Sequence, residues 1–235
     1  LTTYRMNKLK NSSEAKAVLV MFHGLNSHIG HGAHIAEALA EVGVITVGFD
    51  HRGFGKSEGK SGYVESLESH LYDAKVFVEK IKAVYPNLPM FATGLSMGGM
   101  TTYFLALRDK AMFKGVVLMA PSLKNIHGGT LVGMVIGIAS LLPKSFRLIT
   151  PPRGMAARNP KITEDIINDK YAFSDRASLK TVETLVHTMD IAPMTFDKFD
   201  VPFVIVQGDL DKLVNPIGAF DLYDKSSSKD KQVHS

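Results

Sequence analysis

The stretch at residues 90–100, MFATGLSMGGM, constrains the fold of this chain more than any other. It reads as a short apolar strand, a tight turn and the start of a helix, with Gly94-x-Ser96-x-Gly98 at the turn. A serine on a strained strand-to-helix turn projects its hydroxyl from the backbone, and small neighbours are needed because strand and helix approach closely there. The pattern therefore predicts Ser96 as a nucleophile, rather than a glycine-rich turn without chemistry.

Apolar runs and amphipathic segments alternate along the first half of the chain. Residues 17–23, 44–50 and 116–120 are continuous apolar runs, which are typical of parallel strands buried on both faces. Residues 33–42 and 65–84, which lie between them, have the spacing of helices. The alternation predicts an α/β fold with a doubly wound, mostly parallel sheet and right-handed crossovers.

The alternation stops at residues 121–199, where no strand pattern is found, and the sheet resumes at residues 201–207. An excursion of this length between two core strands predicts an inserted helical cap. We therefore divide the chain into the first part of the core, residues 1–120, the cap, residues 121–199, and the second part of the core, residues 200–235, which we expect to be incomplete. The most apolar part of the cap, LVGMVIGIASLL, is too short to span a membrane but suits a buried or interfacial helix.

Composition excludes several classes of protein. The 235 residues include no cysteine, which excludes disulfides, thiolate metal sites and cysteine nucleophiles. The net charge of +4 is unevenly placed, because residues 110–163 contain Lys and Arg but no Asp or Glu. These basic residues are not interleaved with stacking aromatics, so no nucleic-acid partner is expected. An anionic lipid surface and a plain solvated face both fit the basic stretch.

Targeting signals are not evident in the sequence. Residues 1–5, LTTYR, carry no signal-peptide pattern, and no apolar run approaches the ~20 residues that span a bilayer. The chain begins with Leu1 instead of methionine, which is consistent with a start inside a longer natural protein. We expect a cytoplasmic protein with peripheral membrane contact through the cap.

Loops at the carboxyl ends of parallel strands meet at one edge of a sheet, so functional groups can be collected there. Leu25, in the HGLN sequence after the first parallel strand, and Met97, directly after the serine, are the natural backbone N–H donors for an oxyanion. His23, which precedes this loop, is expected to brace it through side-chain hydrogen bonds.

The acid and the base are sought after the strand at residues 201–207. Asp209 and Asp211 are both candidates to orient a histidine, and His234 is the one histidine beyond them. However, a helix and a loop after Asp211 leave room for only about three strand residues before His234, whereas an average strand needs ~5–6. We therefore expect missing residues, and a backbone break, between Ser226 and His234.

Together these segments resemble α/β-hydrolases of the monoacylglycerol lipase and lysophospholipase group over nearly the whole chain. The resemblance places the acid at Asp211 and gives residues 50–57 a structural role, as a turn held by its glycines. The matching motifs are HGLNSH at 23–28, DHRGFGKS at 50–57, GLSMGG at 94–99, RNPKIT at 158–163 and GDLD at 208–211.

The resemblance implies the α/β-hydrolase fold and a carboxylester substrate with one long acyl chain, which enters a lipophilic tunnel under the cap. Ser96 would attack the ester, His234 would act as base, and Asp211 would hold the imidazole in its tautomer. No cofactor is needed. Substrate contacts are expected from the loop after the first parallel strand and from the apolar part of the cap, at Gly24, Asn26, Leu131, Val135, Ile138 and Leu141.

Several alternatives stay open. The histidine-rich loop places His31 three residues before His34, but no carboxylate accompanies them locally, so no metal site is expected. A lysophospholipase, a broad-specificity carboxylesterase, and peptide or epoxide hydrolysis are other chemistries of this fold. Ser96 argues against the epoxide enzymes, which use a carboxylate nucleophile. A non-catalytic lipid-binding protein is the remaining alternative, and it would be expected to lack one member of the triad.

Overall fold

A computed structural model describes residues 1–6, 15–125, 143, 157–172 and 177–235. Within these residues seven strands form one sheet. The strands are β1 Thr3–Arg5, β2 Ala17–Phe22, β3 Val44–Phe49, β4 Met90–Leu95, β5 Val116–Met119, β6 Phe203–Val206 and β7 Lys231–His234. Their order is β1-β3-β2-β4-β5-β6-β7, with β1 antiparallel to β3 and every other pair parallel. The predicted mostly parallel α/β sheet is confirmed.

Helices follow most of the parallel strands. The α-helices in the described residues are α1 Ala33–Glu41, α2 Leu67–Val84, α3 Met97–Arg108, α4 Pro160–Asn168, α5 Leu179–Ile191 and α6 Pro216–Lys225, and a 3₁₀ helix, Ile29–Gly32, precedes α1. Each predicted strand and helix of the core is found within two residues of its expected ends. None of the described helices is both long and apolar enough to cross a bilayer.

Strand β2 shows why its sequence is apolar throughout. Val18, Val20 and Phe22 belong to the large core cluster, which also contains buried side chains of α2 and α3. Leu19 and Met21 point to the opposite face and join a smaller cluster against α1. Because alternate side chains of a strand face opposite sides of the sheet, a strand covered on both faces needs apolar residues at every position.

Among the described residues of 121–199 the regular elements are α4, α5 and a 3₁₀ helix, Ala192–Lys198. The later half of this segment lies against the core rather than apart from it. The hydroxyl of Thr181 in α5 donates to the carbonyl of Gly62 at 2.8 Å and accepts from the N–H of Val64 at 2.8 Å. The hydroxyl of Thr184 in the same helix donates to the carbonyl of Val64 at 3.3 Å. Buried side-chain hydrogen bonds therefore fix α5 to the loop that precedes α2.

The last strand, β7, lies beside β6 and places His234 opposite Val206. The chain before it is anchored, because the N–H of Ser228 donates to the carbonyl of Phe199 at 3.1 Å and the N–H of Phe203 donates to the carbonyl of Asp230 at 3.0 Å. The expectation of residues missing between Ser226 and His234 stays a prediction. The strand has four residues, and each of them pairs with a residue of β6.

Candidate active site

Ser96 lies at the turn between β4 and α3, in a backbone conformation with φ 56° and ψ −114° that residues other than glycine rarely adopt. Its N–H donates to the carbonyl of Met119 on β5 at 2.9 Å, and its own carbonyl accepts from the N–H of Met100 at 3.0 Å. The turn is therefore held by both the sheet and the helix. The predicted strand, turn and helix around this serine are present.

Gly94 and Gly98 are required by the close approach of backbones at this turn. A Cβ atom at Gly94 would collide with the backbone of Gly98, and a Cβ atom at Gly98 would collide with the carbonyl of Phe22 on β2. Because the colliding atoms are backbone atoms, no side chain can move aside to make room. The close approach of β4 to the start of α3, and of α3 to β2, therefore explains the G-x-S-x-G spacing.

Ser122, which follows β5, is a neighbour of Ser96 that the sequence reasoning missed. The two Oγ atoms are 3.1 Å apart, and either hydroxyl can donate. The N–H of Ser122 also donates to the carbonyl of Ser96 at 3.2 Å. The available signal was its position at the carboxyl end of the strand next to β4. Among the described residues, Ser122 rather than a histidine is the hydrogen-bond partner of the Ser96 hydroxyl.

The loop at residues 24–32, called here the oxyanion loop, touches the turn that carries Ser96. A Cβ atom at Gly24 would lie 3.2 Å from the carbonyl oxygen of Leu95 and 3.5 Å from Cβ of Ser96. The next residue, Leu25, follows this contact, and Met97 opens α3. Neither of these two backbone N–H groups donates a hydrogen bond within the described part of the chain. Unused donors beside a nucleophile are what a developing oxyanion requires.

His23 braces the oxyanion loop, as predicted. Its Nδ1 lies 2.8 Å from the carbonyl oxygen of Gly24, and its Nε2 accepts from the N–H of His51 at 2.9 Å. Burial lowers the pKa of His23 from 6.5 to about 4, so the ring is neutral at pH 7. A neutral ring that donates at one nitrogen and accepts at the other has both of its hydrogen-bonding positions filled.

Residues 50–57 form the structural turn that the resemblance implied. The Oδ1 of Asp50 accepts from the N–H of Ile29 at 2.9 Å. Its Oδ2 accepts from the N–H of Lys56 at 2.9 Å and from the hydroxyl of Tyr4 at 3.2 Å. The carboxylate joins β1, the oxyanion loop and its own turn, and it is buried.

Asp211 lies on the loop after β6 and is partly exposed. Its Oδ1 accepts from the N–H groups of Leu213 and Val214 at 2.8 and 2.9 Å. Its Oδ2 has one long contact, 3.4 Å from Nε2 of Gln207. One oxygen therefore anchors the side chain while the other can accept a further donor. Asp209 is exposed and has no hydrogen bond among the described residues, so the geometry favours Asp211.

His234 ends β7 opposite Val206, and its side chain is exposed. No hydrogen bond joins its ring to Asp211 or Ser96 in the described structure. At the end of β4, Leu95 pairs with Met119 on β5, Met119 pairs with Val206 on β6, and Val206 pairs with His234 on β7. His234 is therefore three strand spacings from the turn that carries Ser96. At ~4.8 Å each, these spacings separate His234 from the turn by about 14 Å, more than a histidine side chain can reach. The structure brings Ser96 and the oxyanion donors together but leaves His234 apart, and its role as base stays a prediction.

Asp169, directly after α4, lies against the oxyanion loop. Its Oδ2 is 2.7 Å from Nε2 of His28 and 3.1 Å from Nε2 of His31. The ligand atoms of the three side chains lie within 4.8 Å of one another. The sequence reasoning paired His31 with His34 and found no carboxylate nearby. In the structure His34 is exposed, and the carboxylate beside His31 comes from a residue 138 positions further along the chain.

The predicted acyl-chain residues of the cap, Leu131, Val135, Ile138 and Leu141, lie outside the described residues. Two lysines of the acid-free stretch are paired with acids elsewhere in the chain. Lys110 contacts Asp200 and Lys124 contacts Asp221, each at 2.7 Å. Part of this basic stretch therefore takes part in ion pairs with the core instead of forming an unpaired surface.

Comparison with known proteins connects this geometry to a family. The sequence profile described as "Serine aminopeptidase, S33" matches residues 13–235. The human protein named monoglyceride lipase is 29% identical over 228 residues, which cover 95% of this chain and 75% of the human one. The protein named monoacylglycerol lipase from Mycolicibacterium smegmatis is 26% identical over 222 residues, which cover 93% of this chain and 78% of that one.

A solved structure gives the same result for the fold. The crystal structure of a monoacylglycerol lipase from Paleococcus ferrophilus superposes with a TM-score of 0.83. The match covers 99% of this chain and 88% of that one at 24% identity. At this identity the likeness shows the fold alone, and it confirms the predicted α/β-hydrolase architecture.

Proposed function

The chain belongs to the serine aminopeptidase S33 family of α/β-hydrolases, and from this membership we propose that it cleaves carboxylic esters of single-chain lipids through Ser96. Its resemblance to the monoacylglycerol lipase group is confirmed by the relatives, which support a hydrolase of the lipase and esterase type. The observation that carries the proposal is the strained turn of Ser96, with unused N–H groups of Leu25 and Met97 beside it.

The proposed reaction begins with attack of the Ser96 hydroxyl on the ester carbonyl while its proton passes to a base. The N–H groups of Leu25 and Met97 stabilise the oxyanion that forms on the carbonyl oxygen. The base then returns the proton to the departing alcohol, and an acyl-enzyme remains on Ser96. Water activated by the same base attacks this ester and releases the fatty acid. No step calls for a cofactor.

The proposed acid is Asp211 and the proposed base is His234. Support for Asp211 comes from its anchored Oδ1 and open Oδ2, which suit a carboxylate that orients an imidazole. His234 follows the strand next to β6 and is the histidine beyond Asp211 in the sequence. For His234 to act as base, the end of β7 has to leave its row in the sheet and approach Asp211.

The proposed substrate is a monoester of glycerol, since the two cited relatives are named monoglyceride lipase and monoacylglycerol lipase. A long acyl chain is proposed because the cap contains an apolar segment that could hold it. Gly24 and Asn26 of the oxyanion loop would face the alcohol portion. The cap, residues 121–199, would hold the acyl chain with its apolar part, residues 131–142. The side chains proposed to contact the acyl chain and lipid are Leu131, Val135, Ile138 and Leu141.

Covalent labelling tests the nucleophile directly. A fluorophosphonate probe should label the intact protein at Ser96, and Ser96→Ala should abolish both the labelling and the hydrolysis of p-nitrophenyl butyrate. Loss of a triad nucleophile costs about 10⁶-fold in turnover. Ser122→Ala is the matched control, because its hydroxyl is 3.1 Å from that of Ser96 but is not the proposed nucleophile. Labelling at Ser122 in the Ser96→Ala variant, or undiminished turnover, would exclude Ser96.

A substitution in the cap tests the lipid contact. Val135→Asp should lower liposome binding and the turnover of a long-chain monoacylglycerol about tenfold, because burying a charge in lipid is costly. Hydrolysis of p-nitrophenyl butyrate should be nearly unchanged, since this short ester does not cross the interface. Ile162→Asp is the control, because this side chain on α4 is exposed to solvent. Equal losses on both substrates would instead point to a structural role of Val135.

A further inference from the structure

We propose that Asp169 is a positioning residue that holds the oxyanion loop in shape through His28 and His31. The inference rests on the proposed function, because it gives Asp169 a role in presenting the N–H of Leu25 to the oxyanion. Asp169 itself does not touch the reacting atoms. Asp169 lies in the predicted cap. It is 141 positions from His28 and 138 positions from His31 in the sequence.

The first step of the argument is the tautomer of His28. The N–H of Gly30 donates to Nδ1 of His28 at 3.1 Å, so this side chain caps the 3₁₀ helix that ends the oxyanion loop. A ring nitrogen that accepts a hydrogen bond carries no hydrogen, and the hydrogen of the neutral ring is then on Nε2. Asp169 Oδ2 lies 2.7 Å from that Nε2. The carboxylate therefore favours the tautomer that caps the helix.

The second step is the surroundings of the carboxylate. Asp169 Oδ2 also lies 3.1 Å from Nε2 of His31, whose Nδ1 is 2.8 Å from the hydroxyl of Ser27. Asp169 Oδ1 accepts from the N–H of Tyr171 at 2.7 Å. Burial alone would raise the pKa of Asp169, but the hydrogen bonds from His28 and from the N–H of Tyr171 lower it to about 2. The carboxylate is thus ionised at neutral pH and holds two points of the same loop.

The third step is that the oxyanion loop needs a second anchor. On its sheet side the loop is tied by the N–H of Ile29, which donates to Asp50 at 2.9 Å. Its third residue, Asn26, has φ 56°, and the buried Oδ1 of Asn26 has no partner among the described residues. A strained loop with one anchored side needs a second anchor to keep a backbone N–H in place. Asp169 supplies that anchor on the opposite side.

The same three side chains fit a metal ion less well. A cation on Nε2 of His28 would require the ring hydrogen on Nδ1, where it would meet the N–H of Gly30. The arrangement therefore favours hydrogen bonds to the carboxylate, although the three groups are close enough to share an ion.

Kinetics of Asp169→Asn test the positioning role. The amide offers one acceptor instead of two, so the hydrogen bonds from the two imidazoles and from Tyr171 cannot all be kept. We expect kcat for p-nitrophenyl butyrate, and the fluorophosphonate labelling rate of Ser96, to fall about tenfold with KM unchanged within about twofold, because a displaced oxyanion donor affects the transition state. Asp169→Glu should restore part of the loss. Asp165→Asn, an equal change of charge at an exposed position of α4, should have no effect.

The tautomer can be measured without any turnover. In ¹⁵N NMR of the imidazoles at pH 7, His28 should show an unprotonated Nδ1 and a protonated Nε2 in the wild type, and a mixture of tautomers in Asp169→Asn. His28→Asn should match Asp169→Asn in kcat, since its amide oxygen can still accept from Gly30 but loses contact with Asp169. The double variant should then be no slower than either single variant.

Three results would overturn the inference. A protonated Nδ1 on His28 in the wild type would show that the carboxylate does not select the capping tautomer. Unchanged kcat and labelling rate in Asp169→Asn, despite a change of tautomer, would remove the positioning role. Equimolar Zn²⁺ that shifts both Nε2 resonances would make the cluster a metal site. Absence of labelling in the wild type would instead overturn the proposed function, while the tautomer would still report on the contact.

Discussion

Asp50 and Asp211 follow two parallel strands, β3 and β6, at the same edge of the sheet, yet their surroundings differ. Asp50 is 1% exposed, and three donors occupy both of its oxygens. Asp211 is partly exposed, and two N–H groups hold one oxygen while the other has only a 3.4 Å contact. A saturated carboxylate ties loops together, whereas a half-saturated one is fixed in place and still able to accept a functional hydrogen bond.

The histidines repeat this difference. At the closed end, meaning the loops after β2 and β3 and the first turn of α2, the rings of His23, His51 and His70 form a buried cluster. The ring centroids are 4.3 Å apart for His23 and His51 and 4.4 Å apart for His51 and His70. At the open end, meaning the loops after β6 and β7, His234 is exposed. One buried ring nitrogen of this cluster, Nε2 of His51, has no hydrogen-bond partner among the described residues. The closed end therefore ties the oxyanion loop to the core, and the open end leaves room for the proposed acid and base.

The largest difference between the two ends is expected when Asp211 and Asp50 are each replaced by asparagine, and it should be seen in kcat and in the free energy of unfolding. Asp211→Asn keeps an oxygen for Leu213 and Val214, so its free energy of unfolding should stay within about 1 kcal/mol of the wild type. Its kcat on p-nitrophenyl butyrate should fall about 10,000-fold, or ~5 kcal/mol in barrier, because the carboxylate that is proposed to orient the base is lost. Asp209→Asn, at an exposed position on the same loop, is the control and should be unaffected.

Asp50→Asn should show the reverse. Its amide group would face the N–H of Lys56 or of Ile29 with a donor, so the free energy of unfolding should fall by about 3 kcal/mol. The fraction that remains folded should keep most of its turnover. Urea unfolding at pH 7 and active-site titration with a fluorophosphonate measure the two quantities. Equal stability losses in Asp50→Asn and Asp211→Asn would contradict the distinction between the ends.

Lowering the pH should reduce the free energy of unfolding through the buried histidines of the closed end. Burial lowers the pKa of His23 and of His70 from 6.5 to about 4 each, so the unfolded chain binds more protons than the folded one between these values. Stability must then decrease as the pH falls from about 6.5 towards 4. Each ring should contribute about 2 kcal/mol of loss between pH 7 and pH 5.

The variant that checks this is His70→Gln, whose amide N–H can replace the ring donor 2.9 Å from the hydroxyl of Thr101. Urea unfolding at pH 7 and pH 5 should show about 2 kcal/mol less acid-induced loss in this variant. An unchanged dependence on pH would show that His70 takes up its proton without unfolding.

The fold was predictable because its signals are local. The apolar run of β2 and the stripe of α2 each specify a buried element, and Gly94 and Gly98 specify the turn at Ser96. Strand β1 was missed because three residues, TYR, carry no alternation that a reader of the sequence can recognise. Its pairing with β3 is visible only once β3 has formed the edge of the sheet.

The site was only partly predictable, because its contacts join distant residues. Nothing near His28 in the sequence indicates Asp169, and nothing near Ser96 indicates the hydroxyl of Ser122. A structural reason to prefer Asp211 over Asp209 comes from the backbone N–H groups of the same loop, which hold Oδ1 of Asp211. Chain order alone assigned the base to His234, and chain order contains no information about the strand spacings between it and Ser96.

The smallest expected effect comes from a matched pair of glycines, one at each end. Gly55, at the closed end, has φ 56°, and a Cβ atom there would collide with the carboxyl group of Asp50. At the open end, a Cβ atom on Gly208 would meet nothing within 4 Å. Gly55→Ala should therefore lower the free energy of unfolding by about 1–2 kcal/mol through backbone strain and a displaced carboxylate. Gly208→Ala should change it by less than about 0.5 kcal/mol, or raise it slightly by restricting the unfolded chain. Thermal and urea unfolding of the two variants measure the difference, and a larger loss at Gly208 would mean that the open end is packed as tightly as the closed one.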